Sequence, residues 1–195
     1  LATYSQQPST MDARSSQWAP IAPMITTRWN QMSPYNQQCP LDAGERSVTG
    51  CTATALAQIM NYHEWPATAT TAIPAYTTYQ KQIYCPELPS TVFDWEEMED
   101  AYGYEDEAPA VAALMHYCGQ AIQADYTKDA TGASLTMSAY ALKTYFDYDP
   151  RVKRRDLRGY TVDDWEEMIY SELQAGRPVL HAGYSMTAGH AFVCD

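Results

Sequence analysis

Apolar residues recur at three- and four-residue steps through the middle of the chain, the spacing of one buried helix face. From Cys51 the run Cys-Thr-Ala-Thr-Ala-Leu-Ala-Gln-Ile-Met-Asn-Tyr-His is rich in helix formers and sets Leu56, Ile59, Met60 and His63 on one side, with Trp65-Pro66 ending it. Pro109 reads as a first-turn residue of a second helix, with Val111, Leu114, Met115 and Cys118 as its apolar face and Gly119 as its stop. A third helix is predicted from about Ser134 to Phe146, with Leu135, Leu142 and Phe146 on one side. A fourth starts at Thr161, whose hydroxyl and the Asp164 side chain fit a variant capping box, and runs through Trp165, Met168, Ile169 and Leu173 to Gly176.

Beyond Gly176 the pattern changes. Pro178-Val-Leu-His-Ala and His190-Ala-Phe-Val-Cys read as two antiparallel strands joined through Gly183 to Gly189. The order is that of an α+β chain, helical half first and sheet half second, with the sheet half unfinished at Asp195. Asp-Trp-Glu-Glu-Met occurs at 94–98 and again at 164–168, which predicts two similarly capped helix starts rather than a solenoid repeat. Thr68 to Tyr84, rich in Thr, Ala and Tyr, reads as an irregular surface stretch with room for an edge strand.

Length and charge narrow the function classes. The 195 residues suit one domain or two packed halves, and 24 acidic against 12 basic side chains give a net charge of −12. Such a chain is repelled by a phosphate backbone, and its one basic run, Arg151 to Arg158, carries Asp156 inside it, so nucleic acid is not expected as a partner. No stretch approaches the ~20 apolar residues of a membrane-spanning helix. Four lysines against sixteen tyrosines in an acidic chain suit an exported protein in a protease-rich setting. Leu1 to Pro20 lacks the basic and apolar regions of a signal peptide, which places any export signal upstream.

Five cysteines, an odd number, leave at least one free thiol. No Cys-x-x-Cys or His-x-x-x-His spacing accompanies them, so no metal site and no cofactor are expected. Cys51 differs from the other four by following Gly50 at a helix start, where unpaired backbone N–H groups and the positive end of the dipole favour a thiolate. Gly50 removes a side chain where a substrate backbone would approach, and the Cys51 N–H is positioned to donate to an oxyanion.

Four histidines compete as the base. His63 is twelve residues along the same helix, roughly 18 Å away at 1.5 Å per residue, and reads as a helix terminator. His116, between Met115 and Cys118, reads as a core histidine. His190 lies 139 residues after Cys51, inside the ~130 to 150 residue separation of papain-type enzymes, while His181 on the neighbouring strand stays a rival. Cys194 shares a strand face with His190 but lies about 13 Å along it, which makes it structural.

Three blocks carry a resemblance: Arg-Trp-Asn-Gln-Met-Ser-Pro-Tyr-Asn at 28–36, Thr-Gly-Cys-Thr-Ala-Thr-Ala-Leu-Ala-Gln-Ile-Met-Asn-Tyr-His at 49–63, and Gly-His-Ala-Phe-Val at 189–193. In this order they resemble the streptopain-like cysteine peptidases of the papain-like superfamily, over about residues 20–195. The resemblance implies a papain-like fold with Cys51 as nucleophile, His190 as general base and then acid, and Gln31 as a side-chain donor to the oxyanion. It further implies protein or peptide substrates with an apolar P2 residue, with Gly50 and Gly189 beside the substrate and the loop Thr127 to Thr136 lining the P2 pocket.

Relatives carry an N-terminal inhibitory segment, so residues 1–18 are expected to be its remnant or a tail and 19–195 the peptidase domain of a secreted zymogen. The family's orienting Asn lies downstream of the histidine. The only asparagines here are Asn30, Asn36 and Asn61, so it is expected beyond Asp195, together with further strands. Without them weak activity is expected. A non-catalytic binding or adhesion module that keeps the fold, and acyl transfer through the same thioester, are the competing readings.

Overall fold

The alanine-rich helix after Gly50 is the axis of the structure. In this computed structural model, which describes residues 18–186 and 188–195, it spans Cys51–His63 (α1) and buries Thr52, Ala53, Thr54, Ala55, Leu56, Ala57, Ile59 and Met60. Small residues on several sides let other elements approach closely, so α1 packs against both a second helix and the C-terminal hairpin. It ends where Glu64 turns left-handed, at φ +46, and its N–H closes on the Asn61 carbonyl.

The second helix, α2, spans Pro109–Ala121, with Pro109 in its first turn as expected. It runs past the expected stop at Gly119. Gly119 lies inside the helix, at a point where a Cβ would fall against the hydroxyl of the fully buried Tyr126. Val111, Leu114, Met115 and Cys118 pack with Leu56, Met60, Ile73, Ile122 and Phe146 in one continuous core. Each such side chain contributes about 1.5–3 kcal/mol on burial.

Helix α3 spans Leu135–Tyr145, and the Ser134 hydroxyl accepts the Thr136 N–H at its start. Helix α4 spans Val162–Gln174. Its cap has the predicted residues in a different arrangement: the Thr161 hydroxyl accepts the Asp164 N–H and donates to the Asp164 carboxylate, 2.7 Å away. The pentapeptide's first copy is not a helix start of this kind; Trp95–Glu97 forms one 3₁₀ turn without a side-chain cap. In the second copy Trp165 lies a full turn inside α4.

Among the described residues, three two-stranded antiparallel units accompany the helices. Strands β1 (Leu41–Asp42) and β2 (Glu45–Arg46) form a tight hairpin, and β3 (Tyr76–Thr77) pairs with β4 (Tyr84–Cys85). The stretch Thr68 to Tyr84 is therefore only partly surface, since Thr70, Ile73 and Thr78 are buried and Ile73 bridges Leu88. The C-terminal hairpin pairs β5 (Val179–Tyr184) with β6 (Gly189–Cys194), with His190 opposite Gly183 and His181 opposite Phe192. This is the predicted α+β order. The expected N-terminal remnant falls on residues outside the described ones, apart from Trp18, whose ring stacks on Tyr170 at 4.8 Å.

Candidate active site

Cys51 opens α1, and no acidic side chain lies in that first turn to oppose the positive end of the helix dipole. The first turn leaves its N–H groups without intrahelical partners. Gly50 before it has φ +84, and a Cβ there would meet Thr131 Cγ2 and the Thr131 carbonyl oxygen at 2.9 Å each. The glycine answers to Thr131 behind the helix start. It is not among the residues that line the cleft in front of Cys51, and neither is the loop Thr127 to Thr136. Gly189 likewise makes room for the Tyr184 ring, 2.6 Å from where its Cβ would stand.

That cleft has a volume of about 480 Å³ and three walls. One is a face of α1: Cys51, Thr54, Ala55 and Gln58, the last three being three, four and seven residues past the cysteine. A second is β6, with His190, Ala191, Phe192 and Val193, followed by Asp195. The third is an extended strap from which Ile25, Thr27, Trp29, Asn30 and Gln31 line the cleft, while Thr26 and Arg28 are exposed and outside it. Asp100 ties the outer side of the strap, its carbonyl accepting the Arg28 N–H and its carboxylate the Thr26 hydroxyl.

Cys51, His190 and Gln31 thus line one cavity. The Gln31 carbonyl accepts the Thr49 N–H at 3.1 Å, which fixes its backbone two residues from the cysteine. Across the cleft the Ala191 N–H donates to Cys51 Sγ at 3.4 Å, bringing the residue after His190 onto the sulfur. His181 is not among the residues that line the cleft; its ring stands between those of Trp165 at 5.9 Å and Phe192 at 5.3 Å. His63 closes the far end of α1. On α2, burial and the Arg46 charge push the His116 imidazole down to about 4, as a core histidine.

The other thiols are chemically quiet. All five cysteines are unpaired, and burial pushes Cys39 up to about 12 and raises Cys85, Cys118 and Cys194 as well. Among the described residues no cluster of His, Cys, Asp and Glu could hold a metal ion, and no helix is long and apolar enough to cross a membrane. The sequence reading missed Gln58, the strap and Asp195. Gln58 stands seven residues after Cys51, and the strap alternates with period two, so both left a signal; Asp195 left none.

A sequence model of the Peptidase C10 family matches residues 29–195. Streptopain of Streptococcus pyogenes is 29% identical over 86% of this chain and 47% of its own length. A thiol protease/hemagglutinin of Porphyromonas gingivalis is 29% identical over 90% of this chain and 22% of its own. The chain therefore spans about half, or less, of the length of these curated relatives. Among solved structures, active interpain A, a cysteine protease of Prevotella intermedia, superposes with a TM-score of 0.78 at 33% identity, covering 89% of this chain and 75% of that one. A prointerpain A fragment of the same organism gives 0.76 at 34% identity, covering 89% and 57%. With two thirds of its length and more matched on both grounds, the chain belongs to the Peptidase C10 family of streptopain-like cysteine peptidases and has their papain-like fold.

Proposed function

We propose that this chain is the catalytic portion of a secreted cysteine endopeptidase. The observation that carries the reading is the shared cleft, with Cys51 at a helix N-terminus, Gln31 beside it and β6 bringing His190 and the Ala191 N–H to the opposite wall. The Cys51 thiolate attacks the peptide carbonyl and His190 holds the proton. Charge moves to the carbonyl oxygen, where the Cys51 N–H and the Gln31 side-chain amide stabilise it, each contributing about 2.7–4 kcal/mol. Collapse of the intermediate expels the amine, which takes the proton from His190, and leaves a thioester on Cys51. Water, deprotonated by His190, then hydrolyses the thioester and returns the thiol.

An apolar residue at P2 is the proposed preference, supported by the resemblance to streptopain, and an N-terminal inhibitory segment is supported by the kinship to prointerpain A. Residues 19–195 form the proposed peptidase domain. Extracellular action is supported by the same kinship and by the low lysine content.

Labelling by an epoxide thiol inhibitor tests the assignment. One equivalent is expected on Cys51, lost in His190→Ala and kept in His181→Ala. Equal labelling of the His190 variant would refute the pairing.

A further inference from the structure

The strap that forms the third wall is held along most of its length by the helical half. Gln58 of α1 donates to the Thr27 carbonyl and hydroxyl at 2.9 and 3.1 Å, and the Trp29 indole donates to the Glu99 carbonyl at 2.8 Å. At its outer end the anchor changes sides. The Asp195 carboxylate, one residue past β6, accepts the consecutive N–H groups of Met24 and Ile25, both at 2.7 Å and both on Oδ2. Two successive backbone N–H groups converging on one anionic oxygen form a concave anion seat, and such charge-assisted bonds are short and strong. This clasp joins residues 170 and 171 apart in sequence.

We propose that Asp195 is a positioning residue for substrate specificity: by tying Met24 and Ile25 to the end of β6 it closes one end of the cleft and holds Ile25 in its wall. Asp195 itself lines the cleft beside Val193 and Ile25, so the clasp is part of the surface a peptide side chain meets. It joins the strap to the sheet wall, as the Ala191 contact joins α1 to that wall at the reacting end. A side chain entering between them packs on Ile25 only while the strap is seated. The inference rests on the proposed peptidase reading for its kinetic test, but the clasp itself is testable without activity.

The test uses the full-length gene product freed of its proposed N-terminal inhibitory segment, and a peptide series in which Leu and Ala replace one another at each of the two positions on either side of the scissile bond. Asp195→Ala is expected to lower the Leu/Ala ratio of kcat/KM at one of these positions tenfold or more, with the change carried by KM rather than kcat. Asp195→Asn keeps an acceptor oxygen without the charge and is expected to recover most of that ratio. Amide exchange at Met24 and Ile25 should accelerate at least tenfold in the Ala variant. If Asp195→Ala does not fold, Ile25→Ala decides, since it should reproduce the loss of ratio while leaving Met24 protected. Unchanged exchange, or accelerated exchange with every ratio within twofold, overturns the proposal. If the parent protein hydrolyses nothing, the peptidase reading falls, and the same ratio is read as peptide Kd by calorimetry, where an unchanged value overturns the clasp's role.

Discussion

Replacing Gly50 by alanine perturbs the residue immediately before the sulfur and does so by two separable routes. The backbone there is held at φ +84 and ψ 142, a region that side chains rarely adopt, which costs about 1–3 kcal/mol. The added methyl would also stand 2.9 Å from the Thr131 carbonyl oxygen and 2.9 Å from Thr131 Cγ2. Thr131 cannot retreat easily, because its hydroxyl donates to the Val48 carbonyl at 2.7 Å and accepts the Thr127 N–H at 3.1 Å. Overpacking of this kind costs about another 1–3 kcal/mol. Gly44 supplies the control, since it has φ +87 with nothing within 4 Å of an added Cβ, so Gly44→Ala should show the backbone cost alone. Urea unfolding is expected to place Gly50→Ala at least about 2 kcal/mol below the parent and about 1 kcal/mol or more below Gly44→Ala. The epoxide labelling rate of Cys51 should fall about tenfold or more in the Gly50 variant alone, because a displacement near 1 Å of a reacting atom is that costly. Equal stabilities for the two variants would refute the contact with Thr131. An unchanged labelling rate would refute its bearing on the sulfur.

Two further outcomes follow from the core. Gly119→Ala improves helix propensity by about 1 kcal/mol yet drives a Cβ to 1.9 Å from the Tyr126 oxygen, so a net loss near 2 kcal/mol is expected, partly recovered by Tyr126→Phe; a variant as stable as the parent would contradict the packing. His116 is held down to about 4 in the folded chain against 6.5 in the unfolded one. Its contribution is therefore complete above pH 6.5 and lost as pH falls towards 4, by at most about 3 kcal/mol at 1.36 kcal/mol per pH unit. Unfolding midpoints at pH 4.5 and 7 should differ less in His116→Gln than in the parent, and an identical pH dependence would show the imidazole to be solvated.

The four helices and the final hairpin were legible because their signals are local: apolar spacing, a proline in a first turn, Ser134 and Thr161 as caps. Gly119 was misread because its reason is a tyrosine ring seven residues away in sequence that returns through the core. The repeat Asp-Trp-Glu-Glu-Met misled for the same cause, since identical residues form a 3₁₀ turn at 95–97 and the body of a helix at 165–168. At the site, Cys51 and His190 were marked by position in the chain. Gly50 was read as an opening for substrate, while a positive φ and Thr131 already require it. Asp195 could not be found from sequence, because two backbone N–H groups of a strap carry no side-chain signature.

Rapid acid quench during turnover of an apolar-P2 peptide, with mass mapping of the enzyme, tests the chemistry most directly. The acyl group is expected as a hydroxylamine-labile thioester on the peptide containing Cys51, with hydrolysis absent in Cys51→Ala. An acyl group on any other residue, or hydrolysis that persists in Cys51→Ala, would contradict the account.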